Sequence, residues 1–292
     1  MKNIIVITGG AGFIGSNLIK FLIKKTKYKI VSIDNYSTGS KKNHYKDSRV
    51  KYINSDNIYI EKKLLKIKNK ILTLFHFGEF SRIYQSFADI IPCYSSNMLG
   101  TFSVVKFCSD NKIKLIYSAS SSKFGNKGND ENLSPYSWTK SKNIELIKNY
   151  NMWFGLKFEI LYFYNVYGPG QIKKSKMAAV IAIFEEQYKR KEPLTVVKPG
   201  TQKRDFTHIN DIVNGCYLAF KKGKNDHYFL SSKHAYKILD IAKMFKTKIK
   251  MVAERKGERL GSFYKKSNTE KHLGFKATIT IKDYIKSFIK NY

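Results

Sequence analysis

Thr8-Gly9-Gly10-Ala11-Gly12-Phe13-Ile14-Gly15 is the stretch that decides the fold. It follows an apolar run that predicts a strand, and it opens an amphipathic segment of helix length. Gly9, Gly12 and Gly15 recur at every third position, where glycine permits a tight turn and lets the backbone approach a diphosphate at the positive end of a helix. The alternative is a glycine-rich turn without a ligand. Its place in the first strand-to-helix turn of an alternating chain favours dinucleotide binding.

Outward from this turn, short apolar runs alternate with longer amphipathic stretches, which is typical of βαβ units and a parallel sheet. Strands are predicted over 4–8, 29–34, 50–53, 71–77, 114–120 and 158–163. Helices are predicted over 12–25, 90–111 and 137–154. We therefore expect an α/β fold, a Rossmann-type doubly wound parallel sheet with helices on both faces.

The alternation ends after Pro169. Helical patterns follow over 178–191, 211–222, 238–246 and 281–289, with a strand-like run over 228–231. We expect this part of the chain to supply a smaller, mostly C-terminal substrate-binding lobe. The predicted division assigns residues 1–165 and 206–232 to the dinucleotide-binding domain and residues 166–205 and 233–292 to the lobe.

The composition indicates a soluble globular protein, because no apolar run approaches the roughly 18 residues that a membrane span needs. Lys and Arg number 54 against 22 acids, a net charge of +32. Such a charge raises nucleic acid and anionic membranes as partners, but the lysines are spread along the whole chain, so neither is expected. Three scattered cysteines without a Cys-x-x-Cys pair predict no disulfide framework, no metal site and a cytoplasmic location.

Two aspartates indicate which dinucleotide is bound. Asp34 ends the second predicted strand, where a carboxylate accepts hydrogen bonds from the adenosine ribose and repels a 2′-phosphate, so NAD is favoured over NADP. Lys41 and Lys42 follow nearby and weaken that preference. Asp56 stands where an acid contacts adenine, with an exposed loop aspartate as the equal alternative.

A Ser-Tyr-Lys set supplies the predicted chemistry. Tyr136 and Lys140 are four positions apart on a predicted helix and so share one face. A tyrosine serves as a base near neutral pH only where a nearby cation stabilises its phenolate, which Lys140 provides. Ser120, at the end of the preceding strand, is placed to hydrogen-bond a reacting hydroxyl. Tyr-x-x-x-Lys alone is common, but after the glycine-rich turn it predicts an active site.

These residues resemble those of the extended short-chain dehydrogenase/reductase family, and within it of NAD-dependent nucleotide-sugar epimerases and dehydratases such as UDP-galactose 4-epimerase. The resemblance covers nearly the whole chain. Besides the segments already quoted, it is carried by Phe75-His76-Phe77-Gly78, Asn97-Met98-Leu99-Gly100-Thr101, residues 118–125, Asn165-Val166-Tyr167-Gly168-Pro169, Arg204-Asp205-Phe206, Arg255-Lys256-Gly257-Glu258 and His272-Leu273-Gly274-Phe275.

The resemblance implies the roles of individual residues. Cofactor contacts fall on Gly9, Gly12, Phe13, Ile14, Gly15, Asp34, Asn35, Asp56, Phe77, Tyr136 and Lys140. Substrate contacts fall on Glu79, Ser120, Ser121, Tyr136, Asn165, Arg204 and Arg255, the two arginines pairing with phosphates. The implied reaction is epimerisation of a nucleotide-diphosphate sugar, with a UDP-sugar favoured, by transient oxidation at carbon 4 and return of hydride to the opposite face. The resemblance also implies a homodimer and a part in polysaccharide biosynthesis.

A nucleotide-sugar dehydratase is the alternative. Dehydratases of the 4,6 type need an acid and a base directly after the catalytic Ser or Thr, where this chain has Ser121 and Ser122, so an epimerase is favoured. Glu79 keeps the alternative open, because the family usually has a small residue there. Glu79 is expected either to contact the substrate, as a sugar ligand or an acid/base, or to lie in a solvated loop or pair with Arg82.

A remote alternative is a non-catalytic NAD-binding or RNA-binding protein that uses the positive charge. The intact Ser120, Tyr136 and Lys140 set argues against it. The sequence also lacks an RNA-binding aromatic motif and a localised basic arm.

Overall fold

A computed structural model describes residues 2–128, 130–173, 176–262 and 267–292. Its strands are β1 Ile4–Thr8, β2 Lys29–Asp34, β3 Val50–Asn54, β4 Ile71–His76, β5 Lys114–Ser120, β6 Phe158–Phe163, β7 Asn165–Tyr167, β8 Leu194–Val197, β9 Lys203–His208, β10 His227–Leu230, β11 Ala235–Lys237 and β12 Ile249–Val252. Its α-helices are α1 Phe13–Lys25, α2 Ile60–Leu64, α3 Gln85–Ala88, α4 Ile90–Tyr94, α5 Thr101–Asp110, α6 Pro135–Phe154, α7 Val180–Lys189, α8 Ile209–Lys222, α9 Ile238–Met244 and α10 Ile281–Lys290. A π-helical segment, Ser95–Gly100, joins α4 to α5.

The main sheet is parallel, with the strand order β10-β6-β5-β4-β1-β2-β3. The chain winds outward from β1 in both directions, so the strand order reverses between β1 and β4. Ligands of such sheets bind beyond the carboxyl ends of the strands beside this point. The predicted α/β class and Rossmann-type sheet are confirmed.

Helices cover both faces of the main sheet. Leu18 of α1 and Ile212 of α8 belong to the buried cluster on one face. Val104 of α5 and Ile144 of α6 belong to the cluster on the other. Because these strands are buried on both faces, they appear in the sequence as continuous apolar runs without alternation.

Local sequence fixes both ends of helix α6. The Oγ atom of Ser134 caps its start by accepting a hydrogen bond from the Ser137 amide at 3.1 Å, and Pro135 occupies the first helical turn. Gly155, in the left-handed conformation with φ 69°, follows its last residue. Tyr136 therefore lies in the first turn, directly beside the end of the sheet.

The remaining strands form smaller sheets around a core of their own. Strands β11, β9 and β7 form one sheet, and β8 pairs with β12 in another. Phe184 of α7, Ile241 of α9 and Ile285 of α10 pack into the buried cluster between them. Strand β9 crosses the predicted boundary at 205/206, pairing with β7 and β11 and not with the main sheet. The division into two domains stays a prediction.

Two further features bear on the surroundings of the protein. Within the described ranges, no helix combines the length and the apolar character needed to cross a bilayer. Cys93, Cys108 and Cys216 are all buried and free.

Candidate active site

A cleft of about 450 Å³ opens at the carboxyl ends of β1, β2, β4 and β5 and continues toward the smaller sheets. Every residue predicted from the sequence to contact cofactor or substrate lines this cleft. The structure thus brings together residues as distant in sequence as Gly9 and Arg255. It does so at the position where a doubly wound sheet binds its ligands.

The glycine-rich turn forms one end of the cleft. Gly9 has φ 69°, and a Cβ atom on Gly15 would lie 2.2 Å from the Gly9 carbonyl oxygen, so neither position accommodates a larger residue without a shift. Gly12 precedes α1 and offers no side-chain cap, and the first turn of the helix has no acid. The amides at the start of α1 are therefore left for an anionic group, and the turn fits the diphosphate of NAD.

Asp34 is held rigidly beside this turn. Its Oδ2 accepts a hydrogen bond from the Ala11 amide at 2.9 Å, and its Oδ1 accepts one from the Tyr36 amide at 2.8 Å. Burial raises the pKa of Asp34, although these amide hydrogen bonds oppose the shift. Asp56 lies next to it through a 3.1 Å hydrogen bond from Asn35. Asp56 also caps the short 3-10 helix Asn57–Tyr59, a structural role that its loop position did not reveal.

The predicted catalytic residues Ser120, Tyr136 and Lys140 all line the cleft. Tyr136 and Lys140 are 8% and 4% exposed, so both functional groups sit in a largely water-excluded wall. The Tyr136 amide donates to Ser86 Oγ at 3.2 Å, which ties the start of α6 to the segment after β4. Ser120 ends β5, and its Oγ accepts from the Ser122 amide at 3.1 Å.

Glu79 lies beneath this set and pairs with Lys140. Its side chain is 2% exposed, and Oε2 accepts a hydrogen bond from the Lys140 ammonium. Oε1 accepts from Thr101 and Tyr117, each at 3.0 Å, and also from Asn143. The expected pairing of Glu79 with Arg82 and the expected solvated loop are therefore wrong: the β4 end turns the carboxylate inward, where buried donors surround it.

The pair extends into a buried polar network. Thr101 also contacts His76 Nε2 at 2.9 Å, and His76 Nδ1 contacts Thr8 Oγ1 at 2.6 Å. Burial lowers the pKa of His76 to about 4, so the ring is neutral at physiological pH. Burial, with Glu79 adding to it, raises the pKa of Tyr117 well above its usual value. The network joins the end of β1, next to the glycine-rich turn, to Lys140.

The opposite end of the cleft carries the predicted phosphate ligands. Arg204 pairs with Glu258, and burial lowers the pKa of the Arg204 guanidinium. Arg255 is exposed at the mouth of the cleft, with its guanidinium 5.6 Å from the centre of the Tyr84 ring. The Asn165 side chain donates to the Asp205 carbonyl at 3.0 Å.

His208 and Asp211, at the start of α8, make structural contacts. His208 Nδ1 accepts from the Asn210 amide at 3.2 Å and caps α8. Asp211 accepts from the amides of Thr278 and Ile279, each at 3.1 Å.

Sequence reasoning missed some polar residues of the cleft. Arg82 donates from Nε to the Met177 carbonyl at 2.6 Å. Gln171 is buried, and neither atom of its amide has a partner among the described residues. Arg259 is 4% exposed and donates to Ser121. An arginine one position after the Arg255–Glu258 motif was the available signal, but in so basic a chain an arginine is usually a surface residue.

The sheet order and the glycine-rich turn define the class of the chain, a Rossmann-type dinucleotide-binding protein. A model of the NAD dependent epimerase/dehydratase family matches residues 5–231, and the chain belongs to that family. An uncharacterized UDP-glucose epimerase of Bacillus subtilis is 30% identical over 72% of this chain and 70% of its own length. The predicted family and the predicted cofactor, NAD, are confirmed.

Solved structures resemble the whole chain. The UDP-N-acetylglucosamine 4-epimerase of Methanobrevibacter ruminantium is 26% identical, with a TM-score of 0.89 and complete coverage of both chains. The UDP-glucuronic acid 4-epimerase of Bacillus cereus, solved with UDP-glucuronic acid and NAD, is 27% identical, with a TM-score of 0.87 over 99% of each chain.

Proposed function

We propose that the protein is an NAD-dependent epimerase of a nucleotide-diphosphate sugar, with a UDP-sugar as the favoured substrate. The observation that carries this proposal is the single cleft that contains the glycine-rich turn, Ser120, Tyr136, Lys140 and, at its other end, Arg204 and Arg255. The sugar would then lie between the cofactor end and the phosphate-binding end. The named relatives that resemble the whole chain act on UDP-sugars at carbon 4, which supports the same substrate class.

Each residue of the set has a defined task in this reaction. Tyr136, as the phenolate, takes the proton of the carbon 4 hydroxyl, and Ser120 orients that hydroxyl by a hydrogen bond. The Lys140 ammonium stabilises the phenolate. Bound NAD would supply the acceptor of the hydride and its source on return. Turning of the sugar within the cleft between the two transfers presents its opposite face, so that the configuration is inverted and Tyr136 returns the proton.

Glu79 is assigned to Lys140 and not to the sugar. Lys140 has three donor hydrogens, of which Glu79 accepts one and the Ser118 carbonyl accepts another at 2.6 Å. The remaining one is free to face the cofactor and Tyr136. A dehydratase using Glu79 as its acid/base would have to break this buried pair, and Ser121 and Ser122 carry no acid.

The proposal is tested by incubating the purified protein with UDP-sugars and NAD and analysing the products by mass spectrometry and NMR. An epimer of unchanged mass is expected. A product lighter by one water would identify a dehydratase. Binding of NAD without conversion of any nucleotide sugar would contradict an enzymatic role on these substrates.

We further propose a homodimer formed through α5 and α6. Apolar side chains are exposed along these helices and the segment before them, among them Ile91 at 78%, Phe102 at 45%, Trp153 at 57% and Phe154 at 65%. Rings of Phe102, Tyr150 and Phe154 form one continuous patch. A contiguous apolar face of this kind is typical of a subunit interface.

The cellular setting is proposed on chemical grounds. Three buried, unpaired thiols suit a reducing cytoplasm. Nucleotide sugars are the activated building blocks of polysaccharides, so we assign the product to polysaccharide biosynthesis.

A further inference from the structure

Arg259 is a buried cation of the cleft that the proposed epimerase reaction does not use. It is 4% exposed and lines the cleft together with Ser120 and Tyr136. Its Nη1 donates to the Ser121 carbonyl oxygen and lies 3.4 Å from Ser121 Oγ. The backbone around it is fixed, since the Leu260 amide donates to Asn126 Oδ1 at 2.6 Å and Arg204 donates to the Arg259 carbonyl. The guanidinium is therefore built into the cleft wall.

The guanidinium is incompletely partnered. Its Nε is buried and has no hydrogen-bond partner among the described residues. Within 4 Å of its nitrogen atoms, the described part of the chain places no carboxylate. Burial, with the nearby Arg204 adding to it, lowers the pKa of Arg259 to about 10, so the side chain still carries its charge at neutral pH. A buried charge without an anionic partner is costly, which points to a ligand that supplies one.

The neighbours of Arg259 indicate which part of the substrate it would contact. Ser121, its hydrogen-bond partner, directly follows the catalytic Ser120, and Arg259 lines the same cleft as Tyr136. Ser122 also lines this wall, and its buried Oγ has no partner in the described residues. Because these groups line the same cleft as Tyr136, a sugar held at the tyrosine would lie beside them.

Several cations line the cleft, and Arg259 is among those without an assigned anionic partner. A nucleotide diphosphate brings two negative charges, which Arg204 and Arg255 are assigned to receive. Lys140 is paired with Glu79. With Nη1 held by Ser121, a ligand would pair with the edge formed by Nη2 and by Nε, which has no hydrogen-bond partner among the described residues. That edge matches a planar carboxylate through two parallel hydrogen bonds.

We propose that Arg259 and Ser122 form a subsite for a carboxylate on the reacting sugar, so that the substrate is a nucleotide-linked hexuronic acid. This inference rests on the proposed function, because it takes the sugar to lie beside Tyr136. It restricts the substrate from nucleotide sugars in general to acidic ones.

The test compares the binding of UDP-glucuronic acid and UDP-glucose to the NAD-loaded protein by calorimetry. The two ligands differ at carbon 6, where one has a carboxylate and the other a hydroxyl group. A hydrogen-bonded charge pair in a buried site predicts that the wild-type protein binds the acid roughly ten- to a hundred-fold more tightly. Arg259→Leu should abolish that preference and leave the affinity for UDP-glucose within about twofold.

Arg190→Leu is the matched control, because Arg190 is exposed and pairs only with Glu192, at 3.9 Å, among the described acids. It should leave both affinities unchanged. If Arg259→Leu does not fold, Arg259→Lys keeps the charge but lacks the planar fork, and a reduced preference for the acid is expected. Equal affinities of the wild-type protein for the two ligands, or an equal loss of both in Arg259→Leu, would overturn the subsite.

A turnover assay on the same samples separates this inference from the proposed function. Tight binding of the acid through Arg259 without formation of its 4-epimer supports the subsite and contradicts the epimerase. Epimerisation of UDP-glucose by a protein with no preference for the acid supports the epimerase and overturns the subsite.

Discussion

The two ends of the cleft are built in different ways. The end proposed to bind the cofactor consists mainly of backbone, namely glycines 9, 12 and 15 and the amides at the start of α1, with the Asp34 carboxylate beside them, all within the first βαβ unit. The end proposed to bind the substrate consists of side chains, chiefly arginines, that come from segments far apart in the sequence. Backbone geometry suits a ligand that is always the same. Side chains, in contrast, can be replaced one at a time by substitution. We therefore expect the side chains of the substrate end to determine which substrate is bound.

The largest expected effect is a loss of turnover on substitution of Tyr136, the proposed catalytic base. Tyr136→Phe removes only the hydroxyl that takes and returns the proton, so turnover should fall by roughly 10³-fold. The glycine-rich turn is untouched, so NAD should still co-purify with the variant. Turnover is measured by NMR and bound NAD by absorbance. Undiminished turnover would show that another residue serves as the base.

Gly15→Ala should break the cofactor end alone. The added Cβ would lie 2.2 Å from the Gly9 carbonyl oxygen, so the turn must shift, and NAD affinity should fall roughly 30-fold. Gly100→Ala is the matched control, since its Cβ would come no closer than 3.4 Å to any neighbour. Titration with NAD measures both. Equal NAD affinity in the two variants would mean that the turn does not hold the cofactor.

Glu79→Gln tests the role of the buried Glu79–Lys140 pair. The variant keeps the size of the side chain but removes the charge that holds Lys140, so kcat should fall about tenfold with little change in KM, and its dependence on pH should change. Glu159→Gln is the control, because Glu159 is a fully buried partner of Lys114, at 2.7 Å, outside the cleft. Both variants should lose stability. If both lost activity in proportion to the unfolded fraction, Glu79 would be merely structural.

His76 links the end of β1 to the Glu79–Lys140 pair through Thr8 and Thr101, and its titration should affect stability more than activity. Its folded pKa of about 4 lies below the unfolded value of 6.5, so between these values the unfolded chain binds more protons. Stability therefore falls as the pH drops through this window, by about 2 kcal/mol at pH 5 from this residue. Urea unfolding at pH 7 and pH 5 measures it. His76→Gln should remove that part of the pH dependence, and an unchanged slope would contradict the assignment.

The cofactor end could be predicted from the sequence because its parts are close together in the chain. A strand, three glycines and an acid at the next strand end are a local pattern, and the buried parallel strands around them show as apolar runs. Tyr136 and Lys140 share a helical face for the same local reason. These predictions depended on residue types and on their spacing along the chain.

The partner of Glu79 could not be predicted, because the pair is a tertiary contact between residues 61 positions apart. The nearby Arg82 was the natural candidate by proximity in sequence. The structure directs Arg82 to a backbone carbonyl and turns Glu79 toward the core. Arg259 was missed for a related reason. Only its burial distinguishes it from the many surface cations, and its position in the sequence does not reveal that burial.

Helix α6 also gives the protein an optical property. The chain has two tryptophans, Trp138 and Trp153, and both lie on this helix. Trp138 stacks on Tyr94, and Trp153 is 57% exposed within the apolar patch. Intrinsic fluorescence will therefore report on this one face. Dilution that separates two subunits should shift the emission to longer wavelength, with no label attached and no substitution made.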